Sequence, residues 1–334
     1  MNGQTIKFNN PIAITCTSTI AGPKEGEGPL YKYYDYVLKD DILGQKSHEE
    51  AEILMQLQCL KQLINKAHLN TKQIDCVFGG DLLDEIIGCN FAMRDFDTPF
   101  LGLYNACATF GEALIMGACM IDAGYMDKVI ATTTSHFATA ERQYRFPLEL
   151  GSQRTPLSQW TVTGAGCSLL EKSIERGVKI TYGTIGKVID YGVTDANDMG
   201  AVMAPAAMHT IVSHLNDTKR DIDYYNMIVT GDLGDAGSRL LKEIMMKEFG
   251  VELHNNYTDC GVMIFNREGQ DVGQGGSGAC CSNLVFNAYL YSLMVKGEFN
   301  KILLVPTGAL LSKISSLQGE TIPAIAHAVS LEVI

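Results

Sequence analysis

The sequence predicts a duplicated α/β fold: two similar halves, each a mostly parallel sheet covered by helices, joined through a pair of buried inner helices. Three observations predict it. Residues 103–114 pass from a hydrophobic run, broken at Asn105, into a small-residue helix that opens at Cys107. Apart from Glu112 this helix is apolar on every side down to Met120, so it has almost no face for water and belongs inside the protein. The stretch 124–134 recurs as 297–307 at an offset of 173, and the same offset lays Cys107 on Cys280. Residues 74–84, a buried strand running into a Gly-Asp-Leu turn, are matched by 225–235. A repeat unit of half the chain means duplication rather than a solenoid. Strands alternating with helices within each unit imply parallel sheets with helices on their faces. The halves meet near Gly177, giving units 1–176 and 177–334.

In chain order, residues 11–17 form a strand and 21–30 a Gly/Pro loop carrying Lys24. Residues 31–37 lead to an amphipathic helix over 47–69. Ser47 is its N-cap, with Glu49 and Glu50 in the first turn. The strand at 74–80, the inner helix from Cys107 and the buried strand 129–134 complete the first half, before a polar segment over 138–160. The second half repeats the strand and turn at 225–235, the inner helix from Cys280 and the buried strand that ends at Pro306.

With 46% hydrophobic residues and 33 glycines, the chain supports a large core with many tight turns. Its 38 acidic and 26 basic residues give a net charge of −12, which argues against nucleic acid as a partner; no lysine or arginine block suits an anionic membrane. Residues 1–10 lack a secretory start, and no apolar run reaches the roughly 20 residues needed to span a bilayer, so a soluble, cytosolically made polypeptide is expected. The 10 cysteines have no framework spacing and fit reduced thiols; the seven histidines, at 48, 68, 136, 209, 214, 254 and 327, are scattered, so no metal site is expected.

An α/β duplication with a cysteine at the start of the first inner helix resembles the thiolase and ketoacyl-synthase superfamily. Asn105-Ala-Cys107-Ala is similar to its nucleophile motif, and 197–206 and 221–228 are similar to segments that open its second half. The resemblance implies a thiolase-like, five-layered αβαβα fold and a homodimer. In active members the cysteine is acylated, while a histidine and either an asparagine or a second cysteine from the C-terminal half form the oxyanion hole and move protons. Here Gly275 stands at the thiolase histidine position. Aligned with the synthase pattern, the histidine falls near 230–232 and the asparagine near Ser277. The late cysteine of thiolases falls at 306–308. A general base must lie within hydrogen-bond reach of its proton, and His136 and His327 sit at other places in the repeat.

At finer grain, Ala21-Gly-Pro-Lys-Glu25, residues 134–143, Val202-Met-Ala-Pro-Ala-Ala207 and residues 307–312 and 321–327 resemble a sporulation branch of this superfamily. That resemblance implies a member without condensing activity that binds dipicolinic acid (pyridine-2,6-dicarboxylate) and assists its uptake into the developing spore. It would act with membrane proteins of the same operon, peripheral at the spore inner membrane. It implies no cofactor, with calcium present only if bound through dipicolinate. The alternative is an enzyme that condenses or hydrolyses acyl-CoA with Cys107 as nucleophile.

For the residues themselves, two readings stand side by side. Cys107 at a helix start gains from N–H groups and partial positive charge that lower a thiol pKa and attract anions; otherwise it is a small core thiol. His136, at a strand end, is a ligand group or a cap on local backbone. Arg142, Arg145 and Arg154 offer the planar forks that suit a dicarboxylate, or pair with Glu141 and Glu149 or serve a subunit interface. Asp81 and Asp232 bring negative charge to the pocket mouth, or only close their turns. Ser277 with the N–H groups of 276–279 forms a nest for a carboxylate.

Overall fold

Side-chain alternation along five buried strands sets the layers of the protein. The computed structural model describes residues 3–144 and 154–334. Its first-half strands are β1 (Thr5–Ala21), β2 (Cys76–Gly80), β3 (Phe100–Gly102), β4 (Lys128–Ser135) and β5 (Gly164–Glu171). Those of the second half are β6 (Val178–Thr184), β7 (Met227–Thr230), β8 (Tyr257–Asp259), β9 (Lys301–Val305) and β10 (Ala328–Val333). Successive side chains point to opposite faces. Cys76 and Phe78 of β2, Val129 and Ala131 of β4, and Ile302 and Leu304 of β9 therefore enter one central core. Val77 and Ile130 enter a second core on the outer side of the first half, and Leu303 and Val305 a third on the outer side of the second half.

The strand order is β8-β7-β9-β10-β6-β1-β5-β4-β2-β3. Read outward from the middle, both halves have the same plan. The second strand runs antiparallel to its neighbours (β5, β10), and the last three are parallel to one another. The duplication expected from the 173-residue offset is therefore visible in the topology. One difference from expectation is that the two sheets are joined edge to edge. β1 spans 17 residues, so its start pairs antiparallel with β6 (Thr5↔Thr184) while its end pairs with β5 (Ala21↔Gly164).

The helices fill the remaining layers. On the outer face of the first half lie α1 (His48–Lys66) and α2 (Ile87–Arg94). The first inner helix is α3 (Thr109–Asp122), and α4 (Phe137–Tyr144) follows β4. On the outer face of the second half lie α5 (Met199–Thr218) and α6 (Gly234–Phe249). Ser47 caps α1 as expected, its hydroxyl accepting from the Glu50 N–H. α3 touches strands of both halves, β2 and β4 on one side and β6 and β10 on the other. The second inner helix spans 281–295 with a π-helical stretch at Val285–Leu290, and the two inner helices meet through Phe110 and Phe286, ring centroids 6.0 Å apart. The result is a five-layered αβαβα arrangement whose inner helices begin side by side.

Candidate functional site

Cys107 sits in a single 3₁₀ turn, Ala106–Ala108, that feeds α3. The turn is held by Thr109, whose hydroxyl accepts the Asn105 N–H and donates to the Ala106 carbonyl. Ala106 is in the left-handed region at φ 48°, strain that a non-glycine residue tolerates only where the surroundings enforce it. Here the enforcing element is the strand Thr307–Ala309. A Cβ on Gly308 would lie 2.3 Å from the Asn105 carbonyl oxygen, so only glycine lets the strand pass this close.

In front of Cys107 opens a pocket of about 690 Å³, part of it open to solvent. Its walls are mainly apolar: Leu82, Ala140, Met199, Met203, Ala309 and Leu311. Polar groups gather at the Cys107 end, with Ser277, Gly278, Gln159 and Thr161, while Glu141 and Tyr144 of α4 form one flank. Sequence reasoning missed Tyr144, Gln159, Thr161, Met199 and Met203. The two methionines, four residues apart, carried a readable helical spacing, but the others gave no signal.

Asp232 organises the floor. It is buried, and its Oδ2 accepts from the Ser277 hydroxyl (2.9 Å) and the Gly278 N–H (3.1 Å), while Oδ1 accepts from the Thr307 hydroxyl (2.9 Å). Of the nest expected around 276–279, the Ser277 hydroxyl and the Gly278 N–H converge, and the protein's own carboxylate takes both. The expectation of Asp232 at the pocket mouth is corrected accordingly: its turn folds inward. Burial pushes its carboxyl up to about 6, against the pull of its hydrogen bonds. The Cys107 Sγ lies 4.0 Å from the Ser277 Oγ. Burial, then the nearby negative charge of Asp232, raise the Cys107 thiol well above its usual value, so the expected lowering by the helix start does not occur. One short turn of partial charge is outweighed by desolvation and a full charge.

The other expected residues lie elsewhere. Asp81 is buried and closes its own turn: its carboxylate accepts from the Leu83 N–H (2.8 Å) and the Cys89 N–H (2.7 Å), and burial raises it to about 6. His136 does not line the cavity. Its Nδ1 accepts from the Ala138 N–H and its Nε2 donates to the Asp41 carbonyl at 2.8 Å, so it caps local backbone. Arg142 pairs with Glu49 of α1 at 2.8 Å, and Arg154 with Asp271 at 2.8 Å, so neither fork faces the cavity. Arg145 and Glu149 fall outside the described residues. Among those expected, Cys107, Ser277 and Asp232 come together.

No histidine lines the cavity among the described residues. Gly275, at the position of the thiolase histidine, has φ 122°, and a Cβ there would be 2.4 Å from the Gly261 carbonyl oxygen. The Gly261 backbone leaves no room for a side chain at this position. His327 lies behind Asn105, with Nδ1 accepting from the Gly186 N–H, and burial lowers it to about 4.

Solved structures with this architecture include 3-oxoacyl-[acyl-carrier-protein] synthase III from Aquifex aeolicus. It is 12% identical, at TM-score 0.57 over 96% of this chain and 99% of that one. A variant of OleA from Xanthomonas campestris is 14% identical, at TM-score 0.61 over 98% and 99%. At such identities the likeness shows the fold, which is thiolase-like. Stage V sporulation protein AD of Bacillus subtilis (strain 168) is 39% identical over 329 residues, covering 98% of this chain and 96% of the relative. The sequence profile described as Stage V sporulation protein AD (SpoVAD) matches residues 2–332. With a profile match across its whole fold and a relative this similar over almost all of its length, the chain belongs to the stage V sporulation protein AD family.

Proposed function

We propose that this sporulation protein is a non-catalytic receptor that takes pyridine-2,6-dicarboxylate into the Cys107 cavity and assists its uptake into the developing spore, as a homodimer working beside membrane proteins of the same operon. The observation that carries the reading is Asp232. It takes the Ser277 hydroxyl and the Gly278 N–H as its own donors, and its charge adds to burial in raising the neighbouring thiol, which disfavours the nucleophilic thiolate. Apolar walls suit a flat ring. Met199 and Met203, from the first two turns of α5, extend that apolar wall over the Cys107 end.

Calorimetric titration with the dicarboxylate, free and as its calcium chelate, tests this. Wild type is expected to give a saturable heat, and the monocarboxylate picolinate a much weaker one. Leu311→Trp, at the half-buried rim of the cavity, should weaken binding by about 1–3 kcal/mol, roughly five- to a hundredfold. Cys107→Ala should bind nearly as wild type, and so should Arg142→Ala, because that arginine is committed to Glu49. The alternative, acyl transfer from coenzyme A, predicts an acyl adduct on Cys107 that turns over with an acceptor. Detecting it by mass spectrometry, or finding no heat with the dicarboxylate, would end the receptor reading.

A further inference from the structure

Histidines that are scattered in the sequence meet in the fold. Asp41, His48 and His136 each offer one ligand atom, and the three atoms lie within 4.8 Å of one another. They come from separate pieces of chain: the turn ahead of α1, the first residue of α1, and the junction between β4 and α4. The two imidazoles are 5.0 Å apart between centroids. His48 Nδ1 is buried and has no hydrogen-bond partner, a costly state for a polar atom unless something binds it. We infer that Asp41, His48 and His136 form a binding site for a first-row transition-metal dication such as Zn²⁺.

The donor set decides the metal class. Two imidazoles and a carboxylate suit zinc and its neighbours, whereas calcium and magnesium take oxygen ligands. Three protein ligands leave the fourth tetrahedral position to water. Tetrahedral donors about 2.0–2.1 Å from zinc stand roughly 3.4 Å apart, so the cluster closes by small side-chain rotations. To bind the metal, His136 presents a neutral ring nitrogen. On binding, that ring keeps one proton but moves it from Nε2 to Nδ1. It gives up the bond to the Asp41 carbonyl and the contact from the Ala138 N–H.

The metal would tie the turn at Asp41 and the start of α1 to the root of α4, the helix that presents Ala140, Glu141 and Tyr144 to the Cys107 cavity. Bound metal therefore stiffens one wall of that cavity from behind.

The test uses the full chain, stripped with a chelator, held in a thiol-free reductant and titrated with zinc chloride by calorimetry. One saturable site per chain is expected, together with a melting temperature that rises with zinc concentration. His48→Gln and Asp41→Asn, both at partly exposed positions, should each weaken binding at least about tenfold. His254→Gln, an exposed histidine elsewhere, and Cys107→Ala should bind as wild type. Calcium chloride should give no heat at this site. The inference is overturned if wild type binds no zinc, if His48→Gln and Asp41→Asn bind as wild type, or if Cys107→Ala alone loses the site.

Discussion

Replacing Phe286 with alanine is expected to lower stability by about 3–5 kcal/mol, the range for truncating a fully buried aromatic ring. The ring is 0% exposed and lies in the central core. It packs against Phe110 of the other inner helix at 6.0 Å and Tyr291 at 6.3 Å. The size of the effect depends on whether neighbours can collapse into the hole, and here they cannot do so easily. Both inner helices are wedged between two half-sheets, and Phe286 lies on the π-helical stretch among buried asparagines that are hydrogen-bonded to the first half. Asn283 donates to the Thr133 hydroxyl and the Gly166 carbonyl, and Asn287 accepts from the Ser168 hydroxyl. Denaturant unfolding should show the midpoint falling with an unchanged slope. A loss below about 1.5 kcal/mol would mean that the centre is not packed as described.

The second large effect is pH-dependent. Glu25 is 0% exposed; its Oε1 accepts from the Thr163 N–H at 3.0 Å and its Oε2 has no partner. Burial pushes its carboxyl up from 4.5 to about 8. A raised acid favours the protonated folded state. Its contribution is therefore fully present below pH 4.5 and is lost as pH rises toward 8. Across that window the folded chain holds one more proton than the unfolded chain, and stability falls by about 1.4 kcal/mol per pH unit. Glu25→Gln keeps the acceptor for Thr163 but cannot titrate. Its stability relative to wild type should be flat below pH 4.5 and climb by roughly 3–5 kcal/mol by pH 8. Asp259, raised by burial to about 7, and Asp232, to about 6, leave the variant with a slope of its own in the same direction. Parallel curves for the two proteins would show that Glu25 is not buried as a neutral acid.

The fold was more legible than the site, and the reason is physical. Strand alternation and the offset between Cys107 and Cys280 are written as periodicities, and each strand's alternation sends its side chains to the cores found on its two faces. The helix of 47–69 came out as His48–Lys66 with its cap in place. What a one-dimensional reading could not weigh was competition for partners. Arg142 carries the right fork for a dicarboxylate, but Glu49, 93 positions earlier, reaches it first. At 276–279, Asp232, 46 positions before Gly278, takes the Ser277 hydroxyl and the Gly278 N–H for itself. His48 and His136 looked scattered because the distance between them is closed only by α1 packing beside β4. Charge and hydrogen-bond capacity are properties of residues; which partner satisfies them is a property of the assembled chain.

The long first strand has a consequence for how this protein is born. β1 pairs along its end with β5 and along its start with β6, which is synthesised only after the whole first half. While the nascent chain emerges, residues 5–7 keep an open strand edge until residues 182–184 arrive. An unpaired edge is a template for a second chain, and translation at about 5–20 residues per second leaves it waiting for roughly 10–35 s. The two units therefore share a seam that neither can close alone, and a first half released early by a nonsense codon would expose that seam permanently.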